Sequence, residues 1–205
     1  MVPTTSSLTS VILLARAPRL GRVKTRLAAD VGDQRALDIY RRLGSRVVRQ
    51  IAPVASITVW FDPPDALDEM RAWLGECTYR PQPEGDLGVR LAHAFAEHFA
   101  NAPGEPAVAI GTDAPGVDAG VIAEASRALC DAEVVIGPAS DGGYYLIGLA
   151  RFHDKLFVGI PWGTERVFET TAAASEAVGV KTVILRELRD VDRAADLPVL
   201  DERSP

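Results

Sequence analysis

The chain has 205 residues, of which 47 % are hydrophobic and 24 % charged, the balance of a globular protein of one ordinary domain. The net charge of −6 argues against a general nucleic-acid binder, which would carry an excess of basic residues. No apolar run approaches the roughly 20 residues of a membrane helix, and the first one, 11–15, is too short for a signal peptide. We therefore expect a cytoplasmic protein that binds neither nucleic acid nor a membrane.

Short apolar runs alternate along the chain with segments of helical periodicity. The predicted strands cover 11–14, 57–61, 77–80, 107–110, 134–137, 144–149 and 183–185. The predicted helices cover 33–49, 66–74, 87–99, 119–129, 164–178 and 194–200, and Thr164 is the expected N-cap of the fifth. We expect residues 1–7 and 202–205 to fray and residues 8–201 to form a single domain.

This alternation of strands and helices predicts the α/β fold class. Continuous apolar strands are typical of a sheet that is covered on both faces, and right-handed crossovers make it a Rossmann-like, doubly wound sheet, mixed but mainly parallel. Ligands of such sheets bind beyond the carboxyl ends of the strands. Residues that directly follow a predicted strand are therefore the first candidates for a functional site.

A basic segment follows the first predicted strand. Five basic residues and no acidic one lie between Arg16 and Arg26, and Pro18 and Gly21 give the segment the character of a loop. Its glycine spacing fits neither a Walker A loop nor GxGxxG. Backbone amides, guanidinium groups and a lysine can bind phosphate oxygens, and they stabilise negative charge that develops on a leaving group. The alternative, a loop that serves only solubility, fits less well because the rest of the chain is acidic.

Acidic residues follow two other predicted strands. Asp113 lies in the turn Gly111-Thr112-Asp113-Ala114-Pro115-Gly116, where it could coordinate Mg²⁺ together with substrate phosphates. Asp190 and Asp192 follow the last strand, and in an extended stretch both project to the same side, so one of them could complete the metal site. The alternatives are an Asx-turn at Asp113 and a helix start near Asp192.

Three further segments are ambiguous. Asp141-Gly142-Gly143 lies between two strands, and it is either a hairpin turn or a place where a sugar or base approaches the backbone. The segment 82–90 opens a helix, so that Asp86 could be only its cap. Trp162 precedes a helix, either as a core residue or as a stacking platform for a sugar or base.

Other kinds of chemistry find little support. The three histidines show no ligand spacing, and Cys77 and Cys130 lie far apart, which argues against a zinc site or a disulfide framework. The chain has no Gly-x-Ser-x-Gly elbow, and neither cysteine has the surroundings of a nucleophile, so covalent catalysis is disfavoured.

The motifs together, from residue 11 to residue 200, resemble a bacterial family of unknown function whose members are labelled glycosyltransferase-like or radical-SAM/selenodomain-associated transferases. The resemblance rests on the order of Ala17-Pro18, Gly21, Lys24-Thr25-Arg26-Leu27, Gly85-Asp86-Leu87-Gly88, Gly111-Thr112-Asp113, Pro115-Gly116, Gly137-Pro138, Asp141-Gly142-Gly143-Tyr144, Pro161-Trp162-Gly163-Thr164 and Asp190-Val191-Asp192. It implies the glycosyltransferase-A (nucleotide-diphospho-sugar transferase) fold. Nucleotidyltransferases such as the molybdenum-cofactor cytidylyltransferase and the phospholactate guanylyltransferase share that fold.

The resemblance also implies roles for individual residues. Arg16, Arg22, Lys24 and Arg26 match the loop that binds the nucleotide and its phosphates. Asp113 matches the metal ligand, and Asp192 fits a second ligand better than Asp190 does. The chain departs from the family at Arg16, where many members have Lys, and at Ala114, where many have Cys, which argues against catalysis by that neighbour of Asp113.

From these observations we predict a metal-dependent nucleotidyltransferase that moves a nucleoside monophosphate from an NTP to a small phosphorylated or hydroxylated acceptor. The expected cofactor is Mg²⁺ or Mn²⁺, held by Asp113 and Asp192, and the expected catalytic residues are Lys24, Arg22 and Asp113. The expected nucleotide- and substrate-binding residues are Arg16, Gly21, Thr25, Arg26, Gln82, Asp86, Arg90, Thr112, Asp141, Gly142, Gly143, Trp162 and Thr164. A glycosyltransferase with a nucleotide-sugar donor is the alternative, and an inactive nucleotide-binding module ranks third. Formation of a homodimer is left open.

Overall fold

The computed structural model describes residues 8–200, so the predicted fraying of 1–7 and 202–205 lies outside the described residues. Within them the chain forms seven strands: β1 (Thr9–Arg16), β2 (Ala55–Asp62), β3 (Thr78–Pro81), β4 (Ala107–Ile110), β5 (Val134–Pro138), β6 (Tyr144–Leu149) and β7 (Thr182–Ile184). It also forms six α-helices: α1 (Thr25–Val31), α2 (Asp33–Ile51), α3 (Leu67–Leu74), α4 (Leu87–Asn101), α5 (Ala119–Ala128) and α6 (Val167–Val178). Two 3₁₀ helices cover Asp154–Phe157 and Ala194–Leu200.

The strands make one sheet of order β3-β2-β1-β4-β6-β5-β7. Neighbouring strands are parallel except for β6, which runs antiparallel to both β4 and β5. The predicted mixed, mainly parallel sheet of the α/β class is confirmed. Because β1 and β4 are parallel neighbours, with Leu13 opposite Ile110, the segments that follow them leave the sheet at the same edge.

Successive side chains of β1 point to opposite faces of the sheet and pack into two separate hydrophobic cores. Val11 and Leu13 belong to a core that includes Met70 of α3 and Ile122 of α5. Ile12 belongs to the core on the other face, with Leu91 and Phe95 of α4. The sheet is therefore covered on both faces, as its continuous apolar strands predict. None of the helices within residues 8–200 is both long and apolar enough to cross a membrane.

Three local predictions need correction. Helix α1 was not predicted, because seven residues with Leu27 as the buried one are too short to show a clear helical period. Helix α6 begins at Val167 and not at Thr164. The Thr164 hydroxyl donates to the carbonyl of Pro161 at 2.8 Å and accepts from the N–H of Arg166 at 3.3 Å, so Thr164 shapes a turn before the helix and is not its N-cap.

Candidate active site

A cavity of about 510 Å³ opens at the carboxyl ends of β1 and β4. This volume lies within the range of small-molecule sites in proteins. Eleven of the predicted site residues line the cavity: Arg16, Arg22, Lys24, Thr25, Arg26, Gln82, Asp86, Arg90, Thr112, Asp113 and Asp192. The fold thus brings the basic segment and both predicted metal ligands, which are far apart in the sequence, to one place.

Lys24 and Asp113 form the ion pair at the centre of this cavity. The ammonium Nζ of Lys24 lies 2.8 Å from Oδ1 of Asp113, and the same oxygen accepts a hydrogen bond of 3.3 Å from the hydroxyl of Thr112. Only 4 % of the lysine side chain is exposed, whereas 47 % of the aspartate side chain is. The lysine is therefore held within the protein while one side of the carboxylate faces the cavity.

Asp192, in the loop between β7 and the last 3₁₀ helix, lines the same cavity. Its Oδ2 lies 3.0 Å from Nη1 of Arg26, in a pair that is largely exposed. The N–H of buried Val191 donates to the backbone carbonyl of Asp113 at 3.0 Å, which fastens this loop to the end of β4. Asp196, in the first turn of the 3₁₀ helix Ala194–Leu200, accepts from the N–H groups of Asp192 and Arg193 at 3.0 and 2.8 Å, and so it connects the start of that helix to this loop.

Asp190, two residues before Asp192, is a third carboxyl near this site. Its Oδ1 is buried without a hydrogen-bond partner among the described residues. Burial, followed by the negative charges of Asp113 and Asp141, raises the pKa of the Asp190 carboxyl to about 7. A divalent cation would interact favourably with these carboxylates, whose oxygens are the donors that Mg²⁺ and Mn²⁺ prefer. The residues present therefore fit such an ion.

The carboxylates do not form a complete metal cage on their own. Within residues 8–200, no three His, Cys, Asp or Glu side chains are grouped closely enough to hold a metal. Magnesium is commonly bound by one or two carboxylates together with substrate phosphates. Asp113 and Asp192 match that kind of site.

Tyr40 of α2 is a cavity residue that the sequence analysis missed. Its hydroxyl accepts from the N–H of Arg16 at 2.9 Å and donates to the carbonyl of Arg16 at 3.0 Å. The side chain is buried, and burial is the main cause that raises the pKa of its phenol. In the sequence Tyr40 lies within the predicted helix 33–49, and no signal in the pattern marks its contact with the end of β1.

Gln82 and Arg90 form a hydrogen-bonded pair along one wall of the cavity. The Gln82 amide donates to the carbonyls of Trp60 at 2.7 Å and Ala15 at 3.2 Å, and its oxygen accepts from Nη1 of Arg90 at 2.7 Å. Arg90 also donates to the Gly85 carbonyl at 3.1 Å. Both amide hydrogens of Gln82 are thus engaged by strand carbonyls. Of this pair, Arg90 has the donors left over for a ligand.

Asp86 has a structural contact in addition to its place at the cavity. It is the N-cap of α4, where its Oδ1 accepts from the N–H of Val89 at 3.0 Å. The carboxylate of Asp86 therefore caps the helix, which is one of the two roles that its sequence position allows. Its predicted role in nucleotide binding stays a prediction.

The remaining predicted binding residues do not line this cavity: Gly21, Asp141, Gly142, Gly143, Trp162 and Thr164. Asp141 accepts from the N–H of Gly143 at 2.8 Å, as in an Asx-turn. A Cβ on Gly142 would collide with the backbone of Glu165, and the Gly142 carbonyl accepts from the N–H of Phe168 at 2.9 Å. The space on the Cβ side of Gly142 is therefore filled by the chain itself, which disfavours the approach of a sugar or base there, and the predicted binding roles of these residues stay predictions.

Trp162 is half-buried and packs against the hydrophobic core on one face of the sheet. A Cβ on Gly88 would lie 2.5 Å from its Nε1, so the indole rests directly against the first turn of α4. Its ring also meets Tyr144 edge-on, with ring centroids 6.2 Å apart. The structure thus favours the core alternative over a stacking platform for this residue.

The comparisons with known proteins agree with this fold. Residues 45–164, more than half of the chain, match the family described as "Uncharacterized protein conserved in bacteria (DUF2064)", and the chain belongs to that family. A crystal structure from Desulfovibrio desulfuricans G20, of a protein proposed to be a nucleotide-diphospho-sugar transferase, is 31 % identical with a TM-score of 0.88. The alignment covers 94 % of this chain and 85 % of that one. No curated protein is significantly similar to the sequence.

Two more distant structures share the fold. The Rv0371c protein of Mycobacterium tuberculosis H37Rv, solved in complex with manganese, is 15 % identical with a TM-score of 0.58, over 95 % of this chain and 98 % of that one. A CMP:2-keto-3-deoxy-manno-octonic acid synthetase in complex with CTP is 12 % identical with a TM-score of 0.52, over 94 % and 96 %. The predicted nucleotide-diphospho-sugar transferase fold is confirmed, and the predicted enzyme class, a transferase, is also the class named for the Desulfovibrio protein.

Proposed function

We propose that this protein is a metal-dependent nucleotidyltransferase that transfers a nucleoside monophosphate from an NTP to a small acceptor. One observation carries the proposal. Four cations of the basic segment Arg16–Arg26 and two carboxylates from distant loops line a single cavity, and its volume of about 510 Å³ suits a nucleotide. The related structures support a nucleotide as the ligand, because one of them contains CTP and another a manganese ion.

The cations suit a triphosphate. Arg22, Lys24 and Arg26 would bind oxygens of the β- and γ-phosphates, since guanidinium groups bind phosphate through paired hydrogen bonds and an ammonium acts as a mobile point charge. An oxygen of the acceptor attacks the α-phosphorus, the bond between that phosphorus and the bridging oxygen breaks, and pyrophosphate leaves. Lys24 and Arg22 would stabilise the charge that develops on the pyrophosphate, which is why we assign them catalytic roles.

Asp113 and Asp192 would hold the divalent ion. When bound, Mg²⁺ or Mn²⁺ neutralises phosphate charge and orients the phosphates for displacement. The two carboxylates supply hard oxygen ligands, and the phosphates of the nucleotide supply others. The protein contributes the position of these carboxylates, which the backbone bond between Val191 and Asp113 secures.

Glycosyl transfer from a nucleotide sugar is the second candidate. The relative from Desulfovibrio favours it, because that protein is proposed to act on nucleotide-diphospho-sugars. Trp162 and Gly142, which this candidate would place against the sugar, are instead packed against α4 and the backbone of Glu165. The proposed acceptor is a small molecule and the proposed location the cytoplasm. A binding module without chemistry ranks third, because the candidate phosphate and metal groups lie together.

Ligand-dependent thermal stability tests the proposal. The melting temperature is measured with each NTP, and with UDP- and GDP-sugars, in the presence of Mg²⁺ or Mn²⁺ and in the presence of EDTA. We expect at least one NTP to raise the melting temperature in a metal-dependent way, because a ligand that binds only the folded state stabilises it. Selective stabilisation by a nucleotide sugar would favour the second candidate. No stabilisation by any nucleotide with metal present would overturn both.

A further inference from the structure

Each of the two carboxylates assigned to the metal is engaged by a cation of the segment assigned to the phosphates. Lys24 pairs with Asp113 at 2.8 Å, and Arg26 pairs with Asp192 at 3.0 Å. The two functions of the cavity are therefore linked by direct contacts. A divalent ion that approaches Asp113 meets the positive charge of Lys24 on the same carboxylate.

The two ion pairs differ in how far water reaches the cation. In the pair of Lys24 with Asp113, the lysine side chain is largely shielded from water. The lysine side chain is 4 % exposed, whereas that of Arg26 is 62 % exposed. Charge–charge interactions weaken steeply when water surrounds the groups, so the repulsion between the Lys24 ammonium and a divalent ion is the less screened of the two. Lys24 also has a left-handed backbone conformation, with φ of 50°.

We infer that Lys24 makes the site selective for the metal–nucleotide chelate over the free divalent ion, an inference that rests on the proposed function. A free ion brings two positive charges to a carboxylate that Lys24 already neutralises. The chelate brings phosphate oxygens as well, and these give the ammonium a new partner as the carboxylate accepts the ion. Lys24 thus exchanges Asp113 for phosphate, and binding of the metal and binding of the nucleotide support each other.

Loss of a cation from the site is expected to change the affinities for free metal and for nucleotide in opposite directions. Removing the positive charge of Lys24 strengthens the binding of free Mn²⁺, although it weakens the binding of the nucleotide. We expect Lys24→Met to bind Mn²⁺ alone about tenfold more tightly than the wild type, within the usual size of coupling between two sites. The gain depends on Asp113, so the double variant Lys24→Met/Asp113→Asn loses it.

Titration calorimetry of Mn²⁺ alone into the nucleotide-free protein measures this directly. Arg19→Met is the matched control, because Arg19 belongs to the same basic segment but pairs with Glu69 at 2.6 Å and Asp65 at 3.2 Å. We expect its Mn²⁺ affinity to equal that of the wild type. Lys24→Asn provides a second variant without the ammonium if Lys24→Met fails to fold, since asparagine tolerates the left-handed backbone.

The outcomes separate this inference from the proposed function. Equal or weaker Mn²⁺ binding by both Lys24 variants would overturn the selectivity of Lys24, even if NTPs bind in the presence of metal. Tighter Mn²⁺ binding that persists in the double variant would overturn it too, because the ion would then sit elsewhere. Failure of every NTP to bind with metal present would instead overturn the proposed function.

Discussion

The hydroxyl of Tyr40 satisfies both backbone groups of Arg16, accepting from its N–H at 2.9 Å and donating to its carbonyl at 3.0 Å. Arg16 is the last residue of β1 and the first of the basic segment. One side chain of α2 therefore fixes the point at which the chain leaves the sheet to surround the cavity. The same cavity is lined by Thr112 and Asp113 from the end of β4.

Tyr40→Phe should loosen this connection. Loss of the hydroxyl leaves two backbone groups of Arg16 without their partner, and we expect the free energy of unfolding to fall by about 1–3 kcal/mol. Because the basic segment is then less firmly placed, nucleotide affinity should fall on the order of tenfold. Urea unfolding measures the first effect, and calorimetric titration with the stabilising NTP and Mg²⁺ measures the second.

Tyr145→Phe is the matched control for Tyr40→Phe. Tyr145 is also buried, and its hydroxyl donates to the carbonyl of Arg186 at 3.0 Å, but it does not line the cavity. It should lose a similar amount of stability and retain its nucleotide affinity. Equal affinities of the two variants for the nucleotide would show that Tyr40 has only a structural role.

Gly142→Ala should be strongly destabilising. Gly142 has φ of 85°, and a Cβ there would collide with the backbone of Glu165. We expect the free energy of unfolding to fall by about 2–5 kcal/mol, from backbone strain and overpacking together. Gly163→Ala separates the two causes, because Gly163 has φ of 80° but no atom within 4 Å of the place that a Cβ would take. Its cost should be only about 1–2 kcal/mol. Similar losses in urea unfolding would refute the packing role of Gly142.

Trp162→Leu distinguishes a core residue from a sugar platform. The indole packs against Gly88 and Tyr144, so its loss should lower the free energy of unfolding by about 2 kcal/mol. Nucleotide and nucleotide-sugar affinities, measured by titration calorimetry below the melting temperature, should stay as in the wild type. A variant of normal stability with weakened nucleotide-sugar binding would point to contact with the sugar and favour glycosyl transfer.

Much of the fold could be predicted from the sequence because each strand carries its own signal. The buried runs of β1 and β4 are continuous and apolar, and the helices between the strands have a clear period. The place of β6 between β4 and β5 could not be predicted, since an antiparallel strand inside a sheet covered on both faces is as apolar as its parallel neighbours. The seven-residue helix α1 was missed because its one buried side chain, Leu27, defines no period.

The centre of the candidate site was predictable for a topological reason. Parallel strands place their carboxyl ends at one edge, so Lys24 and Asp113 could be expected to meet, although they lie 89 positions apart in the sequence. The contact of Tyr40 with Arg16 depends on how α2 lies against the sheet, which periodicity does not reveal. For the same reason the motifs around Gly142 and Trp162 could not be assigned to packing before the structure placed Glu165 and Gly88 against them.

The Asp113→Asn variant tests the central claim most directly, because the claim is that this carboxylate joins the metal to the nucleotide. Its melting temperature is compared with that of the wild type, with the stabilising NTP present, in Mg²⁺ and in EDTA. Asp131→Asn, which alters an exposed aspartate outside the cavity, is the control and should behave as the wild type. We predict that Asp113→Asn loses the Mg²⁺-dependent part of the shift and keeps a nearly unchanged melting temperature without ligand. A full Mg²⁺-dependent shift in this variant would contradict the account.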